Sequence, residues 1–304
     1  MRRHPALLPV LAALASWSLA AAPPALPNRA DSLKMAVIGD NGTGEHEQYE
    51  VASKMAAAHA TFPFDLVLMV GDNFYGSQKP ADLVRKFDLP YAPLLKAGVM
   101  FRAALGNHDA PESINYPPLN MNGQRYYAFS RPGVRFFVLD TNALDRGQLD
   151  WFRTAVAGAR DEWKICVFHH PLYGNAGRHG ASVDLRVLLE PILLEHGVHV
   201  VFSGHDHVYE RLKPQKGIHY FVTGAGGKLR KGDVEPSAST AAAFDRDQSF
   251  MLVEVAGDEL FFRAVSRTGE VVDDGVIRRA GRVPAFEPTA GRAGSASTAG
   301  ARTP

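Results

Sequence analysis

Five short polar clusters hold the side chains of this 304-residue chain that could do chemistry. They are Asp40-Asn41-Gly42, Gly71-Asp72-Asn73-Phe74-Tyr75, Gly106-Asn107-His108-Asp109, Phe168-His169-His170-Pro171 and Gly204-His205-Asp206-His207. Between them they offer carboxylate, amide, imidazole and phenol donors and no thiolate. That is the ligand set of a hard, two-metal hydrolytic site. Tyr75 bears on which metal is bound, because a phenolate is a hard anionic donor.

Each cluster follows an apolar run. Residues 35–38, 66–70, 99–105, 164–168 and 198–202 read as strands, and the clusters stand where these end. In open α/β sheets, ligands bind beyond the carboxyl ends of strands. Glycine precedes the key residue in four clusters, which lets the backbone turn sharply at the sheet edge. Residues 45–60 carry Val51, Met55 and Ala58 at helical spacing. Residues 80–96 read as one or two short helices, 110–125 as a loop, and 147–160 and 183–196 as helices. Strands are expected over 126–130 and 134–139, then over 218–222, 250–255, 259–265 and 271–277, with a hairpin turn at Gly257-Asp258.

Bulk composition is that of an ordinary globular protein, 46% apolar and 21% charged. The net charge of +1 gives no electrostatic case for a nucleic-acid partner. Residues 1–22 read as a signal peptide, with basic Arg2 and Arg3, an apolar Ala/Leu stretch and small residues Ala20 to Ala22. Loss of Arg2 and Arg3 takes the net charge from +1 to −1. A periplasmic or secreted monomer, off the membrane after cleavage, is the expectation. Residues 23–32 read as a flexible linker, 33–280 as one catalytic domain and 281–304 as a disordered Ala/Gly/Ser/Thr/Pro/Arg tail. The single cysteine, Cys166, lies in an apolar run and reads as a buried small hydrophobe. The segment Gly224-Ala225-Gly226-Gly227-Lys228-Leu229 fails as a phosphate loop, since Leu229 stands where Ser or Thr should be. It reads as a tight loop over the mouth of the site.

The ordered set Asp-x-Gly, Gly-Asp-x-x-Tyr, Gly-Asn-His-Asp, His before Pro, and Gly-His-x-His resembles the calcineurin-like metallophosphoesterases. Within them it resembles the purple acid phosphatases, in particular the small tartrate-resistant type, over roughly residues 35–275. The resemblance implies an α/β fold with two mixed β-sheets in a sandwich flanked by helices. It implies that Asp72 bridges two metals, that Asp40, Tyr75 and His207 complete a ferric site, and that Asn107, His169 and His205 complete a divalent one. The cofactors expected are Fe(III) and a second ion, Fe(II), Zn(II) or Mn(II). Most relatives carry Asp-x-His in the first motif. Here Gly42 removes that histidine while Tyr75 supplies a phenolate, as in the purple enzymes.

Some assignments stay open at this level. His169 aligns with the family ligand two residues before Pro171, and a register shift of one exchanges it with His170. His205 and His207 point the same way on an extended segment, whereas a turn fans them toward adjacent metals. By resemblance His108 contacts the phosphate or helps protonate the leaving group. His179 resembles a second outer-sphere histidine, in a loop about one residue longer, or is an exposed loop histidine. Asp109 and Asp206 either orient ligand imidazoles or are solvated loop acids. The activity implied is acid phosphatase chemistry on small phosphomonoesters, by in-line attack of metal-bound hydroxide. A phosphodiesterase or nucleotide hydrolase on the same scaffold is the alternative, to be decided by loops 110–125 and 225–248. A degenerate, non-enzymatic scaffold would have lost ligands, and all seven positions hold competent types.

Overall fold

The computed structural model describes residues 26–160 and 162–279. The expected signal peptide and tail lie outside these residues. The first half runs β1 (Leu33–Ile38), α1 (His46–His59), β2 (Leu66–Met69), α2 (Pro80–Leu83), α3 (Ala92–Lys96) and β3 (Met100–Ala103). The second runs β4 (Tyr127–Arg131), β5 (Val134–Val138), α4 (Arg146–Ala157), β6 (Trp163–Val167), α5 (Val183–Glu195), β7 (Val200–Ser203), β8 (Tyr209–Leu212), β9 (His219–Thr223), β10 (Thr240–Phe244), β11 (Ser249–Ala256), β12 (Glu259–Ser266) and β13 (Val271–Arg278).

These strands form two mixed sheets. One has the order β13-β12-β11-β1-β2-β3, the other β10-β8-β9-β7-β6-β5-β4. β1, β2 and β3 are mutually parallel, as are β5, β6, β7 and β9. The parallel strands are near-continuous apolar runs because both of their faces are covered. The period of two sorts their side chains between layers. Val134, Phe136 and Val138 of β5 join Ile165, Val167, Val200 and Phe202 in the core between the sheets. Phe137, Cys166 and Val201, one residue out of phase, pack instead with Phe152 of α4 and Leu189, Ile192 and Leu193 of α5. Val51, Ala52 and Met55 of α1 belong to the same core cluster as the first sheet. The result is the expected sandwich of two mixed sheets flanked by helices, and Cys166 is fully buried within it. Among the described residues no helix is long and apolar enough to cross a membrane.

Three departures from the sequence reading have physical causes. β8 and β10 are absent from it. β8 is four residues long and starts two residues after His207, and β10 is an alanine-rich edge strand of low β-propensity. The lead-in expected to be a flexible linker is tied down in its described part. Asn28 and Arg29 donate their backbone N–H groups, and Ser32 its hydroxyl, to the carboxylate of Glu254 on β11. Between α2 and α3 the chain makes a π-helical turn, Val84–Asp88. Such turns concentrate at functional sites, and this one aims buried Lys86 at the backbone carbonyls of Tyr75 and Ser77.

One buried group sets an acid limit on the fold. His199 Nδ1 accepts the Lys164 N–H at 3.0 Å, and burial together with Arg279 and Lys164 lowers its pKa from 6.5 to about 4. The unfolded chain therefore binds this proton first, so the stability is present above pH 6.5 and lost as the pH falls toward 4. Thermal melts are expected to show this fall, with a shallower slope in His199→Gln.

Candidate metal centre

The carboxyl ends of β1, β2 and β3 in one sheet and of β6 and β7 in the other meet at one edge of the sandwich, and all five clusters converge there. The turns are sharper than the glycines alone provide. Asp40, Asp72 and His205 themselves adopt left-handed backbone conformations, with φ of 54°, 52° and 71°. Such conformations cost on the order of 1–3 kcal/mol and gather at functional sites. Of the four preceding glycines, Gly71 takes a positive φ, at 101°. The others are needed for close approach: a Cβ on Gly106 would lie 2.1 Å from the Asp72 backbone nitrogen, and one on Gly204 would lie 2.4 Å from Asp40 Oδ2.

The donors form two groups that share Asp72. In the first, Tyr75 Oη lies 3.0 Å from Asp40 Oδ1 and 3.1 Å from His207 Nε2, and His207 Nε2 lies 3.5 Å from Asp40 Oδ1. Asp40, Asp72 and His207 offer atoms within 4.8 Å of one another. In the second, Asn107 Oδ1 lies 3.0 Å from both His169 Nε2 and His205 Nδ1, which are 3.2 Å apart. Asp72 Oδ1 reaches this group, 3.4 Å from His169 Nε2. Adjacent ligand atoms on an octahedral ion with bonds of about 2.1 Å lie roughly 3.0 Å apart, so the spacings suit coordination. The chain bends at His205–Val208, and the two imidazoles part, His205 to Asn107 and His169 and His207 to Tyr75.

The protonation states suit cation binding. His169 Nδ1 lies 3.0 Å from the Val70 carbonyl, an acceptor, so Nδ1 carries the proton and Nε2 presents a lone pair. That lone pair faces Asp72 and the Asn107 side-chain amide, an arrangement that a shared cation makes favourable. Burial holds His205 down at about 2 and His207 at about 4, and lowers His169 far below the ordinary range. All three are therefore neutral, the form in which imidazole binds metal. Burial and then Asp72 raise Asp40. Burial, Asp40 and Asp72 raise Tyr75, which is a neutral phenol donating to Asp40 unless a strong charge sits beside it. The donor set fits a pair of metal ions.

The two adjacent histidines occupy different surroundings. His169 is fully buried within the Asp72, Asn107 and His205 group. His170 sits one step outside, its Nδ1 2.8 Å from Thr141 Oγ1 and its ring 4.5 Å from that of His205. It remains near enough that His169, His170 and His205 form a possible donor trio.

His108 is exposed, its N–H held by Asp72 Oδ1 at 2.9 Å and its ring 4.6 Å from that of Tyr75. His179 is also exposed, with its ring 4.3 Å from that of His205. The two histidines thus flank the two halves of the centre. Asp109 is neither an imidazole partner nor a solvated acid. Its two oxygens accept from Gly106 N, Asn73 Nδ2 and Phe74 N, and so clamp the second cluster to the third. Asp206 Oδ1 accepts from Gly180 N, next to His179, and Oδ2 is buried without a hydrogen-bond partner.

Sequence reasoning missed the supports. Lys86 fixes the loop that carries Tyr75, and Thr141 holds His170. The glycine-rich loop packs directly on the site, with Gly226 N bonded to Gly39 O, Lys228 N to Asp40 O and Arg230 N to His207 O. It brings Lys228 Nζ to 5.4 Å from the Tyr75 ring centroid. Gly42 has a role of its own. A Cβ there would lie 1.7 Å from the Asn73 carbonyl oxygen, so this loop has no room for a side chain at 42. Gly42→Ala is expected to cost about 1–3 kcal/mol in urea melts and to lower metal content.

A model of the calcineurin-like phosphoesterase family matches residues 33–209. The chain is 26% identical to purple acid phosphatase 17 of Arabidopsis thaliana over 248 residues, 69% of this chain and 73% of that one. It is 26% identical to tartrate-resistant acid phosphatase type 5 of Homo sapiens over 299 residues, 81% of this chain and 92% of that one. Among solved structures, a purple acid phosphatase from yellow lupin (Lupinus luteus) seeds superposes with a TM-score of 0.68 at 17% identity, over 84% of this chain and 55% of the other. GAP50, the anchor in the inner membrane complex of Plasmodium, superposes at 0.69 and 19%, over 82% and 90%. Those two likenesses carry the fold alone.

Proposed function

The chain belongs to the calcineurin-like phosphoesterase family, and on that premise we propose that it is a binuclear-metal acid phosphatase that hydrolyses phosphomonoesters in the periplasm or outside the cell. The observation that carries this reading is the first donor group. Tyr75 stands within 3.1 Å of both Asp40 and His207, and the backbone of Asn73 fills the place of a side chain at Gly42. Asp40, Tyr75 and His207 would hold Fe(III); Asn107, His169 and His205 would hold Fe(II), Zn(II) or Mn(II); and Asp72 would serve both. When bound, the pair supplies charge that neutralises phosphate oxygens and lowers the pKa of water, which suits hydrolysis in acid.

The chain's own residues supply the rest. Val70 O and His169 Nδ1–H fix one imidazole with its lone pair inward. His108 stands exposed beside Tyr75 with its backbone anchored on Asp72, which supports a role for its ring toward the phosphoryl group rather than as a ligand. His108→Ala is expected to lower turnover by about a hundredfold with metal content retained, measured by steady-state kinetics beside elemental analysis. Loss of metal in that variant would show the role to be structural.

Elemental analysis with a visible spectrum, on protein purified without added metal, tests the whole reading. A colourless, active protein with two zincs and no iron would overturn the ferric part. Relative rates on a phosphomonoester and its matching diester separate this reading from a phosphodiesterase.

A further inference from the structure

A cavity of about 770 Å³ opens beside the divalent half of the centre, with Asn107 and His170 in its wall. It is lined by the loops after β3, β5 and β6, by Arg125 ahead of β4 and by the start of α5. Tyr75 and His207 take no part in it, so it extends from one side of the centre.

Its chemistry is lopsided. Leu105, Pro111, Ala143, Ala181, Val183 and Leu185 give it apolar walls. Val183 is 51% exposed, and Val187, one helical turn on, is 67% exposed, so the apolar surface continues outward along α5. The cation within the cavity is already committed. Arg125 is the cation among the described residues that line it, and its guanidinium is held by Asp140 at 2.7 Å and Asp145 at 3.1 Å. Asp109 is turned to backbone amides and Asn73. Asp184, in the first turn of α5, adds a negative charge. A second phosphate or a carboxylate would enter without a free cation to meet it. A bulky neutral group would displace water from apolar wall.

We propose that this cavity is the leaving-group pocket, and that it selects phosphomonoesters of large, uncharged, mainly apolar alcohols over small or anionic ones. The proposal rests on the phosphomonoesterase reading of the adjoining centre. The phosphoryl group sits between His108 and His179, and the alcohol extends past Asn107 and His170 toward α5. The basic rim of Lys228 and Arg230 lies against Tyr75 and His207 instead, outside the cavity.

The test compares 2-(1-naphthyl)ethyl phosphate with ethyl phosphate, whose alcohols are of similar acidity, so that the ratio of kcat/KM values reports the pocket rather than the chemistry. 3-Phosphooxypropanoate, whose leaving alcohol is of comparable acidity and carries a carboxylate, is the anionic control. Binding of 2-(1-naphthyl)ethanol, followed by its fluorescence, gives a readout independent of turnover. In the native protein the ratio should favour the naphthyl ester by at least about tenfold. Ala143→Trp, which fills the cavity from an exposed position, and Val183→Asp, which charges its wall, should each drive that ratio toward one and weaken alcohol binding. A native ratio near one, a preference for 3-phosphooxypropanoate over the naphthyl ester, or two variants that leave ratio and binding unchanged would overturn the proposal. Turnover of ethyl phosphate with no naphthyl preference and no alcohol binding removes the pocket and leaves the phosphatase reading standing. Alcohol binding that Ala143→Trp abolishes, in a protein that hydrolyses no phosphomonoester, removes the phosphatase reading and upholds the ligand class.

Discussion

An Asp72→Asn variant is expected to lose the metal pair and, with it, at least about three orders of magnitude in turnover on a phosphomonoester. Asn keeps the shape of the side chain and tolerates the left-handed backbone at 72. It also keeps an oxygen for the His108 N–H, so the substitution isolates the charge. Asp72 is the donor common to both groups, 3.4 Å from His169 on one side and within the Asp40 and His207 trio on the other. The stability change separates this outcome from misfolding, because its sign depends on metal. In metal-stripped protein Asp40 and Asp72 are buried together, and Asp72 raises the pKa of Asp40. Removing one charge relieves that strain. Metal-stripped Asp72→Asn should therefore melt above metal-stripped native protein, while added metal raises the native melting temperature alone. A variant that retains two metals and its activity would remove Asp72 from the centre.

The second large effect concerns colour and metal identity. Native protein should show a visible phenolate-to-iron charge-transfer band, and Tyr75→Phe should lose it entirely. Burial beside two carboxylates opposes ionisation of Tyr75, so a phenolate there needs a cation of high charge. Without the oxygen, the group around Asp40 and His207 has one anionic donor fewer and should accept a divalent ion in place of Fe(III). The fold should persist, since the ring still packs against His108 and the loop is held through its backbone by Lys86. Turnover should fall by about ten- to a hundredfold. A band that survives in Tyr75→Phe would place the chromophore elsewhere. A colourless native protein would leave Tyr75 as a neutral donor to Asp40.

These two predictions draw on different depths of information. The identities of Asp40, Asp72, Tyr75, Asn107, His205 and His207 were legible as residue types at the ends of apolar runs. Strand periodicity places such ends along one edge, and a carboxylate or an imidazole brings its chemistry wherever it is put. The strands themselves were legible for the same reason, apart from β8 and β10, whose short or alanine-rich segments carry little hydrophobic pattern. The division of the strands into two mixed sheets came from the family resemblance, because an apolar run does not name its neighbour. The pairing of Gly42 with Tyr75 was also legible. Its steric basis was not, since the Asn73 carbonyl that excludes a side chain at 42 belongs to another loop.

Tertiary structure alone decided what depends on distant contacts. His169 and His170 are indistinguishable in sequence. They part in space because the first meets the Val70 carbonyl, 99 residues away, and the second meets Thr141, 29 residues away. Asp109 became a clamp between loops rather than a partner for imidazole, and Lys86 became the support of Tyr75. The cavity beside Asn107 is assembled from five separate stretches of chain. A sequence lists donors one at a time, and so determined which atoms this centre could use. The direction of each lone pair is set by what packs behind it, and only the folded chain supplies that.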